Sequence, residues 1–211
     1  MSISIKEQIL FRIRQHKQGW AFSAIDLISD FNRREIDESL STLTRDGDIR
    51  RVMRGVYDLP LYSSTLGRYV APDINQITQA LARKFNWNIY PDGNTALNYL
   101  GLSTQIVSQY IYLSTGPSKT YTIGEITIKF KHISLKEIGL KSTNAILVTQ
   151  AIKALGEARI FKEVIRSLAE KFSLKEWGEI LKHSINVPIW IYEVIKNAHQ
   201  IAKETRHGQN S

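Results

Sequence analysis

Apolar residues recur every three or four positions through residues 1–60. Ile5, Ile9 and Ile13 line one face of a first predicted helix, opened by Ser4 and Glu7 at capping-box spacing and broken near Gly19 and Trp20. Ser23 caps a second, with Asp26 at its third position and Ala24, Leu27, Ile28 and Phe31 facing inward. Ile36, Leu40 and Leu43 are the buried stripe of a third, which Asn32 and Glu35 open and Gly47 closes. Ile49, Val52, Val56 and Leu59 then supply two short strands around a tip at Met53, Arg54 and Gly55, where glycine tolerates the positive φ of a tight turn.

Three short helices and a ribbon can close one small core. The connection between the second and third helices, around Asp30, Phe31 and Asn32, is as short as a helix-turn-helix requires. The pattern therefore predicts a winged helix-turn-helix over residues 1–60, able to fold without the rest. The outer face of its third helix carries Arg34, Glu38, Ser41, Thr42 and Arg45. Arg33 stands at the helix start, and Arg50, Arg51 and Arg54 lie on the ribbon. Guanidinium groups suit phosphate oxygens and base edges because they donate paired hydrogen bonds. The candidate DNA contacts are thus Arg33, Arg34, Ser41, Thr42, Arg45, Arg50, Arg51 and Arg54. A competing reading pairs these arginines with Glu35, Asp37, Glu38, Asp46 and Asp48 on a solvated face.

Beyond residue 60 the pattern changes. Pro60, a polar stretch and Gly67 read as a linker or strap. Pro72 and Asp73 open a helix to about Phe85, with Ile74, Ile77, Leu81 and Phe85 on one face. A short strand at 88–90, a turn at Pro91-Asp92-Gly93 and a short helix ending at Gly101 follow. Residues 110–114 read as a buried strand. Ile126, Ile128 and Phe130 alternate with Thr127, Lys129 and Lys131 as in a half-buried one, with residues 121–123 just before. After Ser134 the pattern is helical to a polar tail from about Thr205. Ser173 and Glu176 make another capping box, and Asn186 with Pro188 starts the last helix. In that helix Ile189, Tyr192, Ile195 and His199 form a stripe, widened by Trp190, Ile191 and Val194, which caps the middle region or packs on a second subunit. The fold class read here is α+β: a winged helix-turn-helix at 1–60, then an α+β domain at 61–211 with a helical C-terminus.

Charge changes this picture only slightly. The chain carries a net +8, yet residues 1–60 hold ten Lys and Arg against nine Asp and Glu. The excess lies later, where it adds nonspecific attraction to nucleic acid. No cysteine is present, so disulfides and thiolate zinc sites are excluded. The N-terminal residues lack the apolar core of a signal peptide, and no long apolar run predicts a membrane span, so a cytoplasmic location is expected.

Catalytic alternatives are weak. Residues 114–120 resemble the end of a phosphate-binding loop, but a serine replaces the glycine before Lys119 and strands flank both sides. A metal-dependent nuclease would need a second carboxylate converging with Asp92 and Lys129; Thr127 stands in its place and Glu125 comes two residues early. The five histidines are scattered, and no Gly-x-Ser-x-Gly elbow occurs. No catalytic residue, metal or cofactor is expected. The four tryptophans sit among aliphatic residues at core-like spacing and are expected to pack rather than stack on bases.

The segment RGVYDLP at 54–60 resembles the winged-helix end of AbiEi-like antitoxins of type IV toxin–antitoxin, or abortive-infection, systems. The resemblance runs through ALNYLGLS at 96–103 and the strand segments that follow, to about residue 155. It implies a transcriptional autorepressor whose N-terminal domain binds operator DNA, and whose C-terminal part opposes a nucleotidyltransferase-like toxin. By carry-over, Arg34, Arg45, Arg50, Arg51 and Arg54 would be the DNA contacts. Useful operator specificity implies two half-sites and so a homodimer. A protein-interaction module that neutralises the toxin with little DNA binding is the alternative, and a nucleic-acid-processing enzyme the second.

Overall fold

The computed structural model describes residues 3–105, 108–134 and 142–207. The chain is mixed α+β with a helical C-terminus, and it divides into two compact units, Met1–Asn88 and Ile89–Ser211.

The first unit opens with helix α1, Ile5–Arg14. Ser4 Oγ accepts from Glu7 N while Glu7 Oε2 accepts from Ser4 N, so the capping box forms as the spacing predicts. Strand β1, Ala21–Phe22, precedes a 3-10 turn at Ala24–Leu27. This corrects the second expected α-helix. The 3-10 helix covers only Ala24–Leu27, turns follow, and the chain is extended at Asn32 (φ −75°, ψ 158°), which caps the next helix. Ala24 and Leu27 are buried, but Ile28 is 44% exposed and Phe31 half-buried. Helix α2, Arg33–Asp46, has its full capping box from Asn32 and Glu35 and ends on Gly47 at φ 81°. Strands β2, Arg50–Met53, and β3, Val56–Asp58, form an antiparallel ribbon that β1 joins in the order β1-β3-β2. Ile9, Ile13, Phe22, Leu27, Ile36, Leu40, Leu43 and Ile49 meet in one core.

The segment read as a linker or strap forms a small hairpin, β4 (Tyr62–Ser63) with β5 (Arg68–Tyr69), closed by an edge-on Tyr62–Tyr69 ring contact at 5.3 Å. Helix α3, Ile74–Phe85, follows. Asp73 caps its start, and Asn86 in the left-handed region (φ 55°) ends it. Ile74, Ile77 and Leu81 face inward as expected, while Phe85 is 37% exposed. The helix packs on β1, the 3-10 turn and β3. Arg83 ties it down, donating to the Asp26 carboxylate and through Nη2 to Ala21 O at 2.8 Å. The first unit therefore takes in α3, beyond the break read at residue 60.

One histidine of this unit gives a pH test. The His16 ring stacks on Trp20 with centroids 3.6 Å apart. Burial lowers its pKa below the ordinary histidine value, and the Arg12 and Arg83 charges add to this. The folded state thus favours the neutral ring. Its contribution to stability is complete above the ordinary histidine value and is lost as pH falls through the folded pKa. An NMR titration of His16 is expected to give a midpoint below that of a free histidine. His16→Ala should remove this part of the acid sensitivity.

The second unit begins with β6, Ile89–Pro91, and helix α4, Asn94–Tyr99. Strands β7 (Gln109–Ser114), β8 (Lys119–Ile123) and β9 (Ile126–His132) follow. The sheet order is β6-β7-β9-β8, with β7 and β9 parallel and the other neighbours antiparallel. Tyr112, Ile128 and Phe130 are fully buried, as the alternation predicts for β9, and Thr127, Lys129 and Lys131 occupy the other face.

Helices α5 (Thr143–Leu155), α6 (Lys162–Ala169), α7 (Leu174–Lys182) and α8 (Ile189–His207) pack around Trp177. Residues 135–141, where the helical pattern was expected to begin, and the tail from 208 lie outside the described residues. The Ser173–Glu176 capping box is present. Trp177 is completely buried and donates from Nε1 to Ala169 O at 3.1 Å. Trp177→Ala is expected to cost about 3–5 kcal/mol, read as a shifted denaturation midpoint; a loss below about 1 kcal/mol would contradict this packing. In α8 the inward face is Ile191, Val194, Ile195 and Ala198. Ile189 is 79% exposed and Tyr192 half-buried, so Ile195 belongs to the core of this unit and is no part of a stripe open to a second subunit. Among the described residues no helix is long and apolar enough to cross a membrane.

Candidate nucleic-acid interface

Helix α2 is positioned by its buried stripe, Ile36, Leu40 and Leu43, together with Ser39. Burying one stripe leaves the opposite face to solvent. On it stand Arg33, Arg34 and Arg45, with side chains 65%, 89% and 78% exposed. Ser41 is exposed, and Thr42 is half-buried with its hydroxyl donating to Glu38 O at 3.1 Å. The i,i+4 repeat brings an acid beside Arg33 and Arg34, and Arg45 has one as its sequence neighbour. Arg33 Nε donates to Asp37 and Arg34 Nε to Glu38, each at 2.8 Å, and Arg45 lies 3.8 Å from Asp46. These bonds raise the pKa of Arg33 and of Arg34. Part of the competing reading is therefore realised: three of the expected contacts have acidic partners in cis.

The ribbon separates its three arginines. Met53 pairs with Val56, Arg51 with Tyr57 and Arg50 with Asp58, which leaves Val52 as an extra residue in β2. This bulge decides which arginine turns inward. Val56 and Asp58 face the interior, so Arg50, opposite Asp58, does too. Arg50 Nε and Nη2 hold the two Asp58 carboxylate oxygens, the first at 3.0 Å, and Nη1 donates to Val70 O at 3.0 Å. Asp58 is 1% exposed and the Arg50 side chain 32%. Arg50 is thus an internal anchor of the first unit rather than an open contact. Arg51 and Arg54 are exposed and have no ion-pair partner among the described residues.

One residue near the tip carries no sequence signal. Lys84, in the last turn of α3, donates from Nζ to Arg54 O at 3.1 Å. Only the fold brings these positions, thirty residues apart, together.

The catalytic alternatives gain little from the geometry. Residues 115–118 connect β7 to β8, strand to strand, and Gly116 N donates to Ser114 Oγ within that turn. Asp92 accepts from Lys131 Nζ at 2.9 Å, and Glu125 lies exposed in the β8–β9 turn. Among the described residues no three His, Asp or Glu side chains gather as a metal site.

No curated protein matches the chain. A family model does match residues 8–176, from within α1 to the first turn of α7, and so takes in both the ribbon and the sheet. On the strength of that match the chain belongs to DUF6088, a family of unknown function.

Proposed function

We propose that the first unit is a winged helix-turn-helix that binds duplex DNA, and that the chain is a transcriptional autorepressor and antitoxin of the AbiEi-like kind. The observation that carries the DNA reading is the pairing of an exposed polar α2 face with two unpartnered arginines, Arg51 and Arg54, on the adjoining ribbon. A helix of fourteen residues is about 21 Å long, and a major groove about 12 Å wide admits it. The intrahelical pairs of Arg33 and Arg34 do not oppose this strongly. Exposed i,i+4 pairs are worth roughly 0.3–0.5 kcal/mol, less than a charge-assisted bond to phosphate contributes. Asp37 and Glu38 repel phosphate but can accept from cytosine N4, so they favour base reading over indiscriminate binding. The antitoxin part is supported by the resemblance alone.

The test is fluorescence anisotropy of the full chain with duplex from upstream of its own gene and with scrambled duplex, at two salt concentrations. Preference for the upstream duplex supports the proposal. Equal affinity rejects sequence reading, and no binding rejects the DNA interface. The in-cis pairing of Arg33, Arg34 and Arg45 favours a second reading, a module that neutralises a nucleotidyltransferase-like toxin with little DNA binding. A tight toxin complex without a DNA shift would select it.

A further inference from the structure

The tip of the β2–β3 ribbon is two residues long, Arg54 and Gly55, with Gly55 at φ 71°. Tips of isolated hairpins are marginal structures. This one is held from outside the ribbon. Lys84 Nζ donates to Arg54 O at 3.1 Å, and the same ammonium lies 2.7 Å from where a Cβ on Gly55 would stand. The Lys84 ammonium also lies over the Phe85 ring, 5.2 Å from its centroid, and Phe85 stacks on Trp87 at 4.8 Å. Its helix is fixed in turn by Arg83 on Asp26 and by buried Ile77 and Leu81. A rigid element thus grips the main chain at the residue whose side chain reaches outward.

We infer that Lys84 is a positioning residue for DNA binding: by holding the Arg54 carbonyl it fixes where the Arg54 guanidinium is presented to a phosphate. This rests on the DNA reading given above. A contact residue on a loosely held turn must be ordered on binding, at an entropic cost; one whose backbone is already fixed loses less. Lys84 acts through Arg54, so the two residues must be thermodynamically coupled.

A double-mutant cycle on the full chain tests this, with Lys84→Ala, Arg54→Ala and the double variant measured on one upstream duplex. Lys84→Ala is expected to weaken binding about tenfold in the wild-type background and by less than about twofold when Arg54 is already gone. Its salt dependence stays at the wild-type slope, whereas Arg54→Ala flattens that slope by about one unit. Lys84→Arg, which keeps a donor, restores most of the affinity. Backbone 15N relaxation supplies a readout without DNA: the Gly55 order parameter falls from about 0.85 to below about 0.6 in Lys84→Ala. Independent, additive losses with a flattened slope would overturn the proposal, because Lys84 would then touch phosphate directly. An unchanged Gly55 order parameter would overturn it as well. A wild type that binds no duplex rejects the DNA reading beneath it; a wild type that binds, with Lys84 uncoupled from Arg54, rejects only the role of Lys84.

Discussion

Replacing Arg51 and Arg54 together by alanine is expected to weaken operator and unrelated duplex alike, by roughly 30- to 160-fold at low salt. The estimate takes roughly 1–1.5 kcal/mol for each net hydrogen bond lost. The slope of log affinity against log salt should flatten by about two units, one for each phosphate contact removed. Both side chains are exposed, and neither has an ion-pair partner among the described residues, so the fold loses little with them. Heat stability should stay near that of the wild type. Arg34→Ala and Arg45→Ala, on the α2 face, should instead change the ratio between operator and random affinity. An unchanged gel shift for the Arg51/Arg54 double variant would remove the ribbon from the interface.

The second large effect comes from the third ribbon arginine and is one of stability. Arg50→Ala leaves the Asp58 carboxylate, 1% exposed, without its guanidinium. An uncompensated buried charge of this kind costs about 3–5 kcal/mol, a large share of the roughly 5–15 kcal/mol that holds a domain folded. For a unit of this size the melting temperature should fall by about 15 °C or more. The Trp20 indole signal, recorded on heating the full chain, reports the first unit. Asp58→Ala should cost less, because the Arg50 side chain, 32% exposed, can turn towards water. An Arg50→Ala protein that melts like the wild type yet fails on DNA would make Arg50 a contact after all.

The difference between Arg50 and its neighbour shows where sequence reading stops. Local features were legible because their partners are three or four residues apart. The boxes Ser4–Glu7, Asn32–Glu35 and Ser173–Glu176 form as read, as does the Ile36, Leu40, Leu43 stripe. The two-residue tip was also close to its expected place. The bulge at Val52 was not legible. Without it, Met53 opposite Val56 would have set Arg51 opposite Asp58 and turned Arg51 inward; with it, Arg50 takes that place. An apolar-polar pattern cannot tell two adjacent arginines apart when one extra residue reverses their faces. Pairings across the chain were equally hidden. Asp26 looked like a helix-capping residue, which it is, but its second oxygen holds Arg83. The last helix misled for another reason. Its apolar residues surround much of the circumference, so the sequence alone did not fix whether Ile189 or Ile191 faces inward.

The anchoring of α3 by Arg83 has a consequence for how the protein is made. Domains assemble from the N-terminus as the ribosome delivers them, at roughly 5–20 residues per second. The ribbon and its Arg50–Asp58 pair are available once residue 58 has emerged, but the residues that hold Asp26 and the Arg54 carbonyl come at 83 and 84. For roughly one to five seconds the nascent chain therefore carries both ribbon strands but not yet the residues that hold the Arg54 carbonyl and the second oxygen of Asp26. A pause or truncation in that interval yields a chain with every expected DNA contact in its sequence but with the presenting surface unfinished.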